Sequence, residues 1–110
     1  MELIRKGNTM AQTPERKVKK QIVGILNEMG VYHFSPYMSG MGRAGIPDII
    51  ACCHSSFVAI EAKAGNNKPT LLQEREIHRI QQAGGHAMVV NEDNMDELRF
   101  LLNHLSRSAK

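Results

Sequence analysis

The sequence predicts an α/β fold, a mixed β-sheet flanked by helices with elements in the order αβββαβα. Three observations lead there. Apolar residues recur at spacings of three and four in three separate stretches, as amphipathic helices require. Short apolar runs bounded by turn residues separate those stretches and have the length of strands. Two of these runs form a hairpin and the last two flank a helix, so antiparallel and parallel pairing meet in one sheet.

Residues 1–12 show no periodicity and read as a flexible arm before one domain over 13–110. Thr13 is a good N-cap and Pro14 a good first helical residue. Val18, Ile22, Ile25, Leu26 and Met29 then form an apolar stripe, and Gly30 ends the helix. Traced backward, the stripe reaches Glu15, which is expected to point toward the sheet. Val31 to Phe34 reads as the first strand. A loop over 35–45 follows, with three glycines and Arg43.

Strands are expected over 48–53 and 57–63, joined at His54-Ser55-Ser56. Thr70 opens a second helix that carries Ile77 and Ile80 and closes at Gly84-Gly85. His86 to Val90 forms another strand. Asp93 is expected to cap the last helix, whose stripe is Met95, Leu98, Leu101, Leu102 and Leu105, with Phe100 off it.

The 110 residues suffice for a three-layer core. No apolar run approaches the roughly 20 residues that span a bilayer, and the opening MELIRKGNTM lacks the apolar centre of a secretory signal. Cys52 and Cys53 are adjacent in a strand and make no disulfide framework, so a reducing cytoplasm is the expected location. The net charge is +3. Arg16, Lys17, Lys19 and Lys20 crowd the start of the first helix, with Arg5 and Lys6 on the arm. That cluster is either a phosphate-neutralising patch or a solvated helix face.

The chemistry concentrates in GIPDII (45–50) and AIEAKA (59–64). Asp48 closes a Gly/Pro turn and opens one strand; Glu61 and Lys63 share a face at the end of the next. Two acids and a lysine converging on a sheet can hold a divalent cation and activate water. A surface ion pair is the simpler account of Glu61 and Lys63 alone, but it leaves Asp48 unexplained.

Pro47-Asp48 and Glu61-Ala62-Lys63 resemble the PD-(D/E)XK nuclease motif letter for letter. With Glu15 at a helix start and Gln73 opening the next helix, the chain resembles the VRR-NUC branch in its small stand-alone form. The similarity runs from about Thr13 to about Asn91. The resemblance implies a restriction-endonuclease-like core and a phosphodiester hydrolase. It implies Mg²⁺ or Mn²⁺ on Glu15, Asp48, Glu61 and the carbonyl of Ala62, and Lys63 acting on water and phosphate. Stand-alone members look like Holliday-junction resolvases, so branched or four-way DNA is the implied partner and a homodimer the implied assembly. The rival readings are a non-catalytic DNA-binding module and a restriction-type, sequence-specific nuclease. Intact Asp48, Glu61 and Lys63 count against the first, and the short chain against the second.

Some residues admit two accounts. Glu15 is also favoured by the helix dipole alone. Thr70 and Gln73 have the spacing of a capping box, yet Gln73 also heads the stripe of Ile77 and Ile80 and is a candidate catalytic residue. Cys52, Cys53 and His54, with His33 or His78, suggest zinc, but adjacent strand residues face opposite ways and both cysteines read better as buried fillers. Arg43 either clamps a phosphate or is an ordinary loop arginine. For a dimer, Phe100 marks one seam, and Tyr37, Met38 and Met41 another.

Overall fold

The computed structural model describes residues 13–37 and 42–108. The expected N-terminal arm with Arg5 and Lys6 lies outside the described residues, as do Met38 and Met41. Seven elements follow in the expected order: α1 (Pro14–Glu28), β1 (Tyr32–Phe34), β2 (Ile49–Cys53), β3 (Ser56–Ala62), α2 (Leu71–Gln82), β4 (His86–Val90) and α3 (Met95–Ser108). The sheet runs β1-β2-β3-β4. The first two pairings are antiparallel and β3–β4 is parallel, with α2 as the crossover. This is the mixed sheet that the sequence pattern predicts, and it has the restriction-endonuclease-like arrangement that the resemblance implied. Among the described residues no helix is long and apolar enough to cross a membrane.

The strand period divides the sheet into two unlike faces. Ile49, Ala51 and Cys53 of β2 and Val58, Ile60 and Ala62 of β3 are buried against Val18, Ile22 and Leu26 of α1 and Leu98 and Leu102 of α3. The other face of β3 carries Phe57, Ala59 and Glu61, and α2 lies over its β4 side. Toward β1 that face is open: Tyr32, Cys52 and Phe57 stand in one cross-strand row, all exposed.

Three local expectations need correction. The hairpin turn is the pair His54-Ser55, with φ of 48° and 72°, and Ser56 already belongs to β3. A two-residue turn with both φ positive matches the twist of the strands, so the chain takes the tighter connection. Cys52 is exposed and only Cys53 is a filler, its thiol donating to the Leu102 carbonyl at 3.7 Å. Alternation allows one of two neighbours to face the core, and burial raises the pKa of that one. Asp93 does not adjoin the last helix, which starts at Met95. Its amide donates to Asn91 Oδ1 at 2.8 Å, while Asn94 joins strand to helix, accepting from Asn91 N at 2.7 Å and donating to the Val89 carbonyl at 2.9 Å.

The helix starts follow the sequence closely. Thr13 accepts from Arg16 N at 3.1 Å, which caps α1 and sets Glu15 in its first turn. Thr70 accepts from Gln73 N at 3.2 Å and caps α2. The loop before Asp48 is pressed against that second helix start. Gly45 has φ +88°, and a Cβ on it would lie 2.5 Å from the Leu72 carbonyl oxygen. Only glycine permits both the conformation and the approach.

Gly45→Ala is therefore expected to cost about 3 kcal/mol, from a left-handed φ plus a backbone clash. A urea melt measures this. Unchanged stability would mean that the loop does not bear on α2.

Candidate active site

Asp48 reaches its place through β2. Ile49 pairs with Ile60, so one step outward Asp48 stands beside Glu61. Its Oδ2 accepts from the Ala62 amide at 2.9 Å, which ties the acid to the backbone between Glu61 and Lys63. Ala62 itself is buried in the core on the opposite face.

Glu61 is the most constrained group of the cluster. It is only 2% exposed. Its Oε2 accepts from Gln73 Nε2 at 2.8 Å and lies 3.5 Å from Lys63 Nζ. Its Oε1 is buried and has no hydrogen-bond partner among the described residues. Burial and the charge of Asp48 raise its pKa to about 7, although Lys63 opposes the shift. Desolvation is the larger cause, since a carboxylate removed from water favours its neutral form.

Gln73 makes two contacts, one at the helix cap and one to Glu61. Its Oε1 accepts from the Thr70 amide at 2.8 Å, completing the capping box. A backbone N–H can only donate, so this bond fixes the carboxamide orientation and leaves Nε2 to face Glu61.

Glu15 comes from the start of α1. One carboxylate oxygen each from Glu15, Asp48 and Glu61 lies within 4.8 Å of the others. Beside them opens a recess of about 530 Å³ lined by Thr13, Glu15, Arg16, Lys19 and Asp48. Half of the basic cluster thus borders the acids, while Lys17 and Lys20 are exposed elsewhere on α1. Three carboxylates at this spacing, one with a buried oxygen lacking a donor, suit a hard divalent cation. Among the described residues no such group contains Cys or His. His33 instead bonds Asn27 Oδ1 at 2.9 Å.

Glu76 was not singled out from the sequence, yet it is 2% exposed. It sits one turn after Gln73 and holds Arg43 at 3.1 Å and Arg79 at 3.5 Å. A signal was present: Glu76 lies three residues after Gln73 and four before Ile80, a charge on an apolar stripe. Arg43 is thus a loop arginine that a buried acid holds in place, with its side chain still 62% exposed.

Comparison with known proteins agrees with this geometry. A solved structure described as a VRR_NUC domain superposes with a TM-score of 0.66 at 25% identity, covering 84% of this chain and 98% of that one. No match was found among curated proteins. The family model described as archaeal Holliday junction resolvase (Hjc) matches residues 10–110. That span takes in every element of the sheet and each acid of the cluster, and by it the chain belongs to the Hjc family of PD-(D/E)XK-type nucleases.

Proposed function

We propose that this protein is a Mg²⁺- or Mn²⁺-dependent DNA endonuclease that cuts branched DNA, four-way junctions foremost. The observation that carries the reading is a cluster of three carboxylates, Glu15, Asp48 and Glu61, in which Glu61 has a buried oxygen with no partner among the described residues. Such an arrangement is costly for folding alone, because like charges are gathered out of water. Glu15, Asp48, Glu61 and the Ala62 carbonyl would hold the cation. When bound, it supplies Lewis-acid polarisation of the phosphate and lowers the pKa of water.

The remaining work falls to the chain. Gln73 holds one carboxylate oxygen of Glu61 and so restricts its orientation, leaving the other oxygen for the cation. Lys63, with its side chain only 12% exposed, keeps its ammonium beside Glu61 and offsets charge that gathers on the attacked phosphate. Arg16 and Lys19 border the recess where a phosphate would approach. A non-catalytic DNA-binding role fits less well, since carboxylates without a cation repel phosphate.

Junction resolution requires two symmetric incisions, and the described residues of one chain offer one such cluster, so we infer a homodimer. Phe100 supports a seam on α3: it is 68% exposed and borders a groove with Met88 and Leu101. Tyr37, 91% exposed, supports the alternative seam at the 35–45 loop. Two free thiols suit a reducing cytoplasm.

Cleavage of labelled four-way, flap and linear DNA tests the reading. Junctions should be cut with Mg²⁺ or Mn²⁺, not with EDTA, and not by Lys63→Ala. Strong cutting in excess EDTA would remove the metal mechanism, and near-wild-type cutting by Lys63→Ala would reduce Lys63 to an ion pair.

The raised pKa of Glu61 gives a stability signature. Its pKa rises from 4.5 to about 7 on folding, so the folded protein holds the extra proton between those values. Metal-free stability should therefore fall as pH rises from 4.5 through 7, by about 3 kcal/mol from this group. Glu61→Gln mimics the neutral acid and should flatten that fall. Melts in EDTA at pH 5 and pH 8 measure it, and equal pH slopes for both proteins would contradict the assignment.

Gln73→Glu separates capping from orientation. The new carboxylate still accepts from Thr70 N but sets a second negative charge beside Glu61. Cleavage should fall roughly 10–100-fold, the usual cost of losing a ligand's supporting bond. Full cleavage by the variant would confine Gln73 to the cap.

A further inference from the structure

We propose that Arg43, Arg79 and Phe57 form a nucleotide subsite beside the carboxylate cluster, organised by the buried acid Glu76, that takes an unpaired nucleotide of the DNA. The inference rests on the nuclease reading above.

Glu76 is the starting point. Its position on the sheet-facing side of α2 suits an apolar residue, and a buried ion pair seldom stabilises more than a well-packed hydrophobe. A carboxylate here is better explained by what it holds. Arg43 approaches it through Nε and Nη2, at 3.1 and 3.4 Å, and Arg79 through Nη1 at 3.5 Å. One negative charge between two positive ones leaves a net charge of +1. Both arginine side chains remain largely exposed, at 62% and 57%. A guanidinium has five N–H donors, and these contacts use only part of each fork. The outward N–H edges are thus held in place by a carboxylate that water does not reach. Flexible arginines fixed in this way lose less entropy on gripping a phosphate.

The neighbouring surface adds a second recognition element. Arg43, Arg79 and Phe57 line one recess of about 430 Å³. Phe57 is 46% exposed there. Its ring packs over Gly85, where an added Cβ would come within 3.1 Å of it. An anion-binding edge beside a half-exposed aromatic ring matches a nucleotide, with phosphate on the guanidinium groups and base against the ring. A base paired within a duplex cannot turn onto Phe57, so the subsite selects DNA with an unpaired nucleotide, as a single-stranded flap provides.

Placement links the subsite to the carboxylates. Gln73, Glu76 and Arg79 follow at three-residue steps along α2, so the arginine lies roughly 9 Å along the axis from the residue that bonds Glu61. Arg43 lies five residues before Asp48, in the segment that Gly45 presses against α2. A strand seated at the carboxylates would reach the recess within a nucleotide or two.

The test is binding of a fluorescent DNA with a single-stranded flap and a fully paired duplex of equal length, in Ca²⁺, over a salt series. Arg43→Ala and Arg79→Ala should each weaken flap binding several-fold and lower the slope of log affinity against log salt by about 0.9. Arg43→Lys keeps the charge and loses the fork, so the slope should persist while affinity drops. Phe57→Ala should weaken flap binding, leave duplex binding intact and keep the slope. Arg99→Ala, the same loss of charge on an arginine paired with Glu28, should leave the slope unchanged. Wild-type affinity and slope in both arginine-to-alanine variants would overturn the subsite and reduce Glu76 to a structural ion-pair centre, with the nuclease reading intact. Failure of the wild-type protein to bind either DNA would overturn both.

Discussion

A carboxylate removed from water has to be answered by its surroundings, and the arrangement around Glu61 is that answer. One oxygen receives an amide from Gln73 and lies near an ammonium from Lys63. The other is buried and receives nothing from the described residues, and the carboxylate as a whole stands beside those of Glu15 and Asp48. The two sides are not interchangeable. Gln73 cannot rotate to serve the second oxygen, because its own carbonyl oxygen is committed to the Thr70 amide. A helix cap and the aim of an acid are thus one structure, and the asymmetry of Glu61 follows from the start of α2.

Much of this was legible in the sequence because it is local. Asp48, Glu61 and Lys63 lie on one hairpin, where a two-residue period sets their faces and a short turn sets their register. Glu15 was legible through helical periodicity, since a residue heading an apolar stripe must face the sheet. The cap and the contact of Gln73 with Glu61 proved compatible, because a carboxamide has one acceptor end and one donor end and each contact needs only one.

What was missed depends on contacts that spacing does not encode. Glu76 pairs with Arg43 across 33 residues, and no local pattern foretells the approach of the 35–45 loop to α2. The clue was negative, a charge where a hydrophobe belonged. The turn at His54-Ser55 was set one residue too long because neither residue is a customary left-handed former, and strand twist overrode that preference. Asp93 lost the helix start to Asn94, whose amide, unlike a carboxylate, donates to the strand as well as accepts.

The hairpin also bears on the order in which the protein folds. Asp48 and the Ala62 amide are 14 residues apart in sequence, so their bond closes with a short loop. Glu15 must travel from the far end of α1 to join them, and long closures come late in small domains. Mutual repulsion among the acids is therefore concentrated in the last docking of α1 rather than spread along the pathway. A cation that relieves it would act chiefly on how long α1 stays docked, slowing unfolding more than it speeds folding.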